Sequence, residues 1–179
     1  MVVTLIGYRG SGKSSVAAPL GRRLGWNWID ADAEIERHAG RTIRQIFSEQ
    51  GEPHFRELER QILAELLGQD RLVVAAGGGA VLNAHTRDEM HAAGPVVWLQ
   101  ASADLLQRRI NSDQSTAERR PDLTVSGGHR EIVELLAQRE PLYRECATIT
   151  IETDNLSVDK IVDSVLVSID PIVRGGSRL

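Results

Sequence analysis

At 179 residues, 41% hydrophobic and 26% charged, the chain has the profile of one soluble globular domain with a substantial core, and is too short for two ordinary ones. Its net charge of −4 disfavours nucleic acid as a partner. No apolar run approaches the roughly 20 residues that span a bilayer, and the N-terminus lacks the basic-then-apolar order of a signal peptide, so a cytoplasmic protein with no membrane partner is expected.

Residues 2–6 read as a buried strand running straight into the glycine-rich stretch 7–14, GYRGSGKS. Residues 14–24 follow as a helix with Val16, Leu20 and Leu24 on one side and an irregularity expected at Pro19. Trp26 to Ile29 make a second short strand. Helical stretches come next around 32–39 and 43–50. Thr42 and Gln45 have capping-box spacing, and Gly51 closes the second of these helices. Residues 54–68 form an amphipathic helix with Phe55, Leu58, Ile62 and Leu66 on one face. Leu72 to Ala75 are a third strand, ending in Gly77-Gly78-Gly79. Helix over 83–92, strand over 96–99 and helix over 102–110 lead to a polar stretch, 111–128. Helix resumes over 129–143, strand over 147–151 and helix over 157–168, before a frayed tail. The one cysteine, Cys146, excludes an internal disulfide and reads as a buried thiol.

Strands alternating with helices predict a parallel sheet covered on both faces. Ligands then bind beyond the carboxyl ends of the strands, where the glycine loop, Asp30, Asp32 and the three glycines all fall. Gly7, Gly12, Lys13 and Ser14 match the phosphate-loop pattern, with the strand before and the helix after that it requires. Loop amides around Gly10, Ser11, Gly12, Lys13, Ser14 and Ser15 are suited to phosphate oxygens, Lys13 to the β- and γ-phosphates, and Ser14 to magnesium. Lys13 is one of only two lysines, the other being Lys160, among 21 basic residues.

What receives the phosphate is less direct. Asp30 and Asp32 share one side if extended backbone continues through them, where one could act near a metal and the other near an acceptor hydroxyl; either could equally cap a helix. No aspartate ends the third strand, so Asp30 is the candidate to hold magnesium, through water. Arg56 sits in the first turn of its helix against the dipole, either as a binding group or as a solvated arginine offset by Glu57 and Glu59. Arg139 is either a binding group or the partner of Glu140 or Glu134. Gly77-Gly78-Gly79 points to a close approach to the backbone, or to a tight turn.

Together these pieces resemble the shikimate kinase family: the phosphate loop, D-x-D, F-R-x-x-E (Phe55, Arg56, Glu59), G-G-G, R-P (Arg120, Pro121) and R-x-P-L-Y (Arg139 to Tyr143) stand in its order and spacing over about residues 2–168. The resemblance implies an ATP-dependent phosphotransferase of nucleoside-monophosphate-kinase-like fold. That fold is a three-layer α/β/α sandwich around a five-stranded parallel sheet. It implies a single kinase domain over 1–170, with a substrate-binding segment at about 32–60, a lid at about 111–124, and a disordered tail at 171–179. The implied reaction moves the γ-phosphoryl group of ATP to the 3-hydroxyl of shikimate, with Mg2+ as cofactor, in a monomer. Carried over by position, Asp32 would bind the acceptor hydroxyl, Arg56 and Arg139 the carboxylate, and Gly78 and Gly79 the ring hydroxyls. Lys13 and Arg120 would stabilise the moving phosphoryl group. Ser14 would ligate Mg2+ with Asp30 in its outer shell, and Arg109 would lie beside adenine. A kinase for another acceptor, such as gluconate or a nucleoside monophosphate, and a non-catalytic nucleotide-binding regulator are the competing readings.

Overall fold

The central strand β1 (Val2–Ile6) shows how the sheet acquires two apolar faces. Val2 and Ile6 pack into one cluster and Val3 and Leu5 into another, the period-2 alternation of a strand buried on both sides. The computed structural model describes residues 1–112 and 128–175. In it β1 pairs in parallel with β3 (Leu72–Ala75) and β4 (Val96–Gln100). Strand β2 (Asn27–Asp30) flanks β3 and β5 (Ile149–Glu152) flanks β4, giving the order β2-β3-β1-β4-β5, parallel throughout.

One face is covered by α1 (Lys13–Leu24) and α7 (Val158–Gly175), through Val16, Leu20, Ile161, Val165 and Ile169. The other is covered by α2 (Ala31–Ala39), α3 (Ile43–Leu67), α4 (Ala84–Ala93) and α6 (Gly128–Cys146), through Ile35, Phe55, Ile62, Met90 and Tyr143. Helix α5 (Ala103–Ser112) packs on α6 in a smaller cluster with Tyr8, Leu106 and Ile132. This is the α/β sandwich expected. Cys146 is buried beside Met90, and burial pushes its thiol up to about 11, the behaviour of an inert packing group.

Local signals account for most element ends. The Thr42–Gln45 capping box forms in both directions, and Gly51, at φ 80° and ψ 170°, breaks α3 into the two helical pieces expected on either side of it. Helix α1 passes through Pro19 unbroken. Four boundaries differ by more than one residue. Helix α6 runs on to Cys146, so β5 starts at Ile149 rather than 147. Helix α7 continues to Gly175, into the segment expected as a tail. Residues 111 and 112, expected to open the lid, are the last of α5. The remainder of that lid, with Arg120 and Pro121, lies outside the described residues.

Candidate active site

The phosphate loop follows β1 directly, and Gly7, Gly10 and Gly12 all take positive φ (140°, 83° and 99°), conformations that other residues adopt only with strain. Helix α1 starts at Lys13 with Gly12 as its N-cap and no side chain bonded to its first amides. Those amides and the positive end of the helix dipole are what an anion needs. Lys13 folds back over the loop, its Nζ donating to the carbonyls of Gly7 (2.7 Å) and Tyr8 (2.8 Å). Arg109, from α5, reaches across to the carbonyls of Gly10 (3.4 Å) and Ser11 (3.3 Å), so it lies against the loop.

A cavity of about 420 Å3 opens over the loop. Gly10, Ser11, Gly12, Lys13, Ser14, Ser15, Asp30, Asp32, Gly78 and Arg109 line it, so most of the residues singled out in the sequence meet at one end of the sheet. Arg9 and Glu36 line it as well. Glu36 falls one helical turn after Asp32, a spacing that could have found it.

Of the two settings left open for Asp30 and Asp32, alternation along a strand or the cap of a helix, the structure takes the helix cap. Extended backbone stops at Asp30, and α2 begins at Ala31, so the two carboxylates do not alternate along a strand. Asp30 is the N-cap, its Oδ1 accepting from the amides of Asp32 (3.0 Å) and Ala33 (3.3 Å). Its Oδ2 accepts the Ser14 hydroxyl. One carboxylate therefore ties the phosphate loop to the helix that carries Asp32, capping that helix while lining the cavity. Among the described residues no group of three or more His, Cys, Asp or Glu could cage a metal. A hydroxyl beside a carboxylate is instead a hard-oxygen pair that fits Mg2+, which keeps waters and borrows phosphate oxygens.

The second half of the site gathers at Gly78-Gly79, at the end of β3. Arg139, 7% exposed, donates from Nη1 to the Gly78 carbonyl at 3.3 Å, with its guanidinium carbon 5.8 Å from the Tyr8 ring centroid. It does not pair with the acids beside it in sequence: Glu140 goes to Arg144 and Glu134 to Arg130. Arg56 is partly buried rather than solvated, and of the two acids expected to offset it Glu59 does so and Glu57 does not. Its Nη1 donates to the buried Glu59 at 2.7 Å, and its Nε and Nη2 to Glu52 at 3.1 and 2.9 Å, while Glu57 pairs with Arg60. Burial works against the Arg56 charge, but attraction and hydrogen bonds from Glu59 and Glu52 outweigh it and hold the guanidinium above its ordinary value. Glu52 precedes Arg56 by four residues, the spacing at which side chains on one helix face pair.

Gly79 and Arg56 line a neighbouring cavity of about 430 Å3. Gly79 has φ −103° and ψ 0°, which any residue adopts, so what glycine supplies there is space and not backbone freedom. A Cβ there would fall inside the Arg56 guanidinium. Gly79→Ala is therefore expected to displace Arg56. The check is steady-state kinetics with ATP and shikimate, the acceptor that the resemblance implies, whose KM should rise about tenfold while the KM for ATP stays put.

The family profile described as Shikimate kinase matches residues 9–170. This chain belongs to the shikimate kinase family. A shikimate kinase of Rhodopseudomonas palustris is 41% identical over 93% of this chain and 80% of its own length. One of Syntrophus aciditrophicus is 40% identical over 92% and 88%. The structure of a shikimate kinase from Acinetobacter baumannii in complex with shikimate superposes with a TM-score of 0.87, at 35% identity, over 99% of this chain and 95% of that one. As a member of the shikimate kinase family the chain is an ATP-dependent kinase, a transferase.

Proposed function

We propose that this chain transfers the γ-phosphoryl group of ATP to the 3-hydroxyl of shikimate, giving shikimate 3-phosphate and ADP for aromatic amino acid biosynthesis. The observation that carries the reading is spatial. The phosphate loop, Asp32 and Gly78 line one cavity, and Arg139 and Arg56 approach Gly78-Gly79 as cations for a small carboxylated, hydroxylated acceptor.

Phosphoryl transfer asks the protein for positioning and for stabilisation of charge, with little covalent chemistry. The loop amides and the start of α1 hold the phosphates. Lys13 exchanges its loop carbonyls for phosphate oxygens and offsets the charge spreading over the moving group. Asp32 accepts the hydrogen bond of the attacking hydroxyl, directing its lone pair at the phosphorus. Arg139 and Arg56 grip the carboxylate, and the Gly78-Gly79 backbone meets the ring hydroxyls. Ser14, with Asp30 in the outer shell, would hold Mg2+, which neutralises phosphate charge when bound. Arg109 packs beside the nucleotide base. By resemblance Arg120, outside the described residues, joins Lys13 from the lid.

The protein is read as a cytoplasmic monomer acting on these two small molecules, without nucleic acid or membrane partners. Among the described residues no helix is long and apolar enough to cross a membrane. The test is a coupled ADP-release assay with Mg2+ and ATP, comparing shikimate with gluconate, AMP and no acceptor. Release with shikimate alone supports the reading. Folded, ATP-binding protein that releases no ADP with shikimate would overturn it in favour of another acceptor or of a regulator.

A further inference from the structure

Tyr143 stands one helical turn after Arg139 on α6, and the reaction as described gives it nothing to do. It is fully buried, stacked on Trp98 with ring centroids 5.8 Å apart. Burial drives its phenol well above the ordinary tyrosine value, so it remains a hydrogen donor throughout the working pH range. That hydrogen goes to one acceptor, the Gly78 carbonyl, at 2.5 Å. The same carbonyl takes Nη1 of Arg139.

This bond reaches the acceptor site through Arg139. Arg139 uses the same oxygen as a fixed point, with the Tyr8 ring below it. A glycine-glycine peptide has little of its own to hold its plane.

We propose that Tyr143 is a positioning residue for acceptor binding, its hydroxyl holding the Gly78 carbonyl as the fixed point on which the Arg139 guanidinium is set toward the substrate. The inference rests on the proposed reaction, and the experiment separates the two. Wild type, Tyr143→Phe, Arg139→Lys and the double variant are compared in the ADP-release assay, each with a thermal melt. Tyr143→Phe is expected to raise the KM for shikimate about tenfold. It should leave kcat and the KM for ATP within about twofold, and the double variant should fall short of the product of the single effects. Placing 3-fluorotyrosine at 143, which keeps the hydroxyl, should restore the wild-type KM. An unchanged shikimate KM in Tyr143→Phe, or equal losses in every parameter tracking a lowered melting temperature, would overturn the proposal while leaving the reaction intact. A wild-type enzyme inactive with shikimate would overturn both. Should Tyr143→Phe fail to fold, the wild type can be read directly, because the chain has only two tyrosines. With 13Cζ-labelled tyrosine, and Tyr8→Phe for assignment, the Tyr143 resonance should move on adding shikimate; a resonance that does not move would overturn the proposal.

Discussion

Asp32→Ala is expected to lower kcat with shikimate by about two to four orders of magnitude, the range for a group that handles the proton of a reacting hydroxyl. The nucleotide side should be spared. The Ser14 hydroxyl is held by Asp30, not by Asp32, and Lys13 is held by loop carbonyls. The KM for ATP should therefore stay within about twofold, and ATP should stabilise the variant against heat as it does the wild type. Asp32→Asn refines the result. Asparagine can accept a hydrogen bond from the hydroxyl but cannot take its proton, so a variant close to wild type would make Asp32 an orienting group, and one as slow as alanine would make it a base. Wild-type turnover in Asp32→Ala would remove Asp32 from the mechanism.

That experiment targets a residue whose type and chain position were legible while its setting was not. The sequence left alternation along a strand and a helix cap equally open for Asp30 and Asp32; the strand stops at Asp30, whose side chain caps a helix beginning with the very next residue. Both carboxylates still line the cavity, through a helix turn instead of a pleat. The phosphate loop was legible throughout, since its demands are local: glycines for positive φ, a strand before and a helix after. So were the two faces of β1 and the break at Gly51, each set by short-range periodicity or backbone chemistry.

Gly78 and Arg139 are 61 residues apart, and no local pattern states that they meet. Sequence neighbours made Glu140 and Glu134 plausible partners for Arg139; the fold assigns both elsewhere and buries the arginine against backbone. Tyr143 illustrates the same point more sharply. It belongs to the R-x-P-L-Y string that carried the resemblance, but nothing in a string says which carbonyl a phenol will reach.

Arg56→Ala is expected to weaken shikimate by about 2–4 kcal/mol, or roughly 30- to 1,000-fold, because a partly buried carboxylate loses a charge-assisted partner. The ion pairs of Arg56 do not stand against this. Three of its N–H groups serve Glu59 and Glu52. A guanidinium carries five, so donors remain for a substrate. The two acids differ in kind. Glu59 is almost fully buried and fixes the fork from behind, whereas Glu52 is about half exposed and can swing into water as a carboxylate arrives. Removing the arginine also takes a partner from the buried Glu59, so some stability should be lost. Binding is separated from folding by calorimetric titration of shikimate into protein shown folded by its melt, with ATP binding as the internal control. Arg56→Lys sharpens the reading: the charge stays and the fork goes, so its affinity should fall between wild type and alanine. Unchanged shikimate affinity in Arg56→Ala would take Arg56 out of the site and leave Arg139 as the sole clamp.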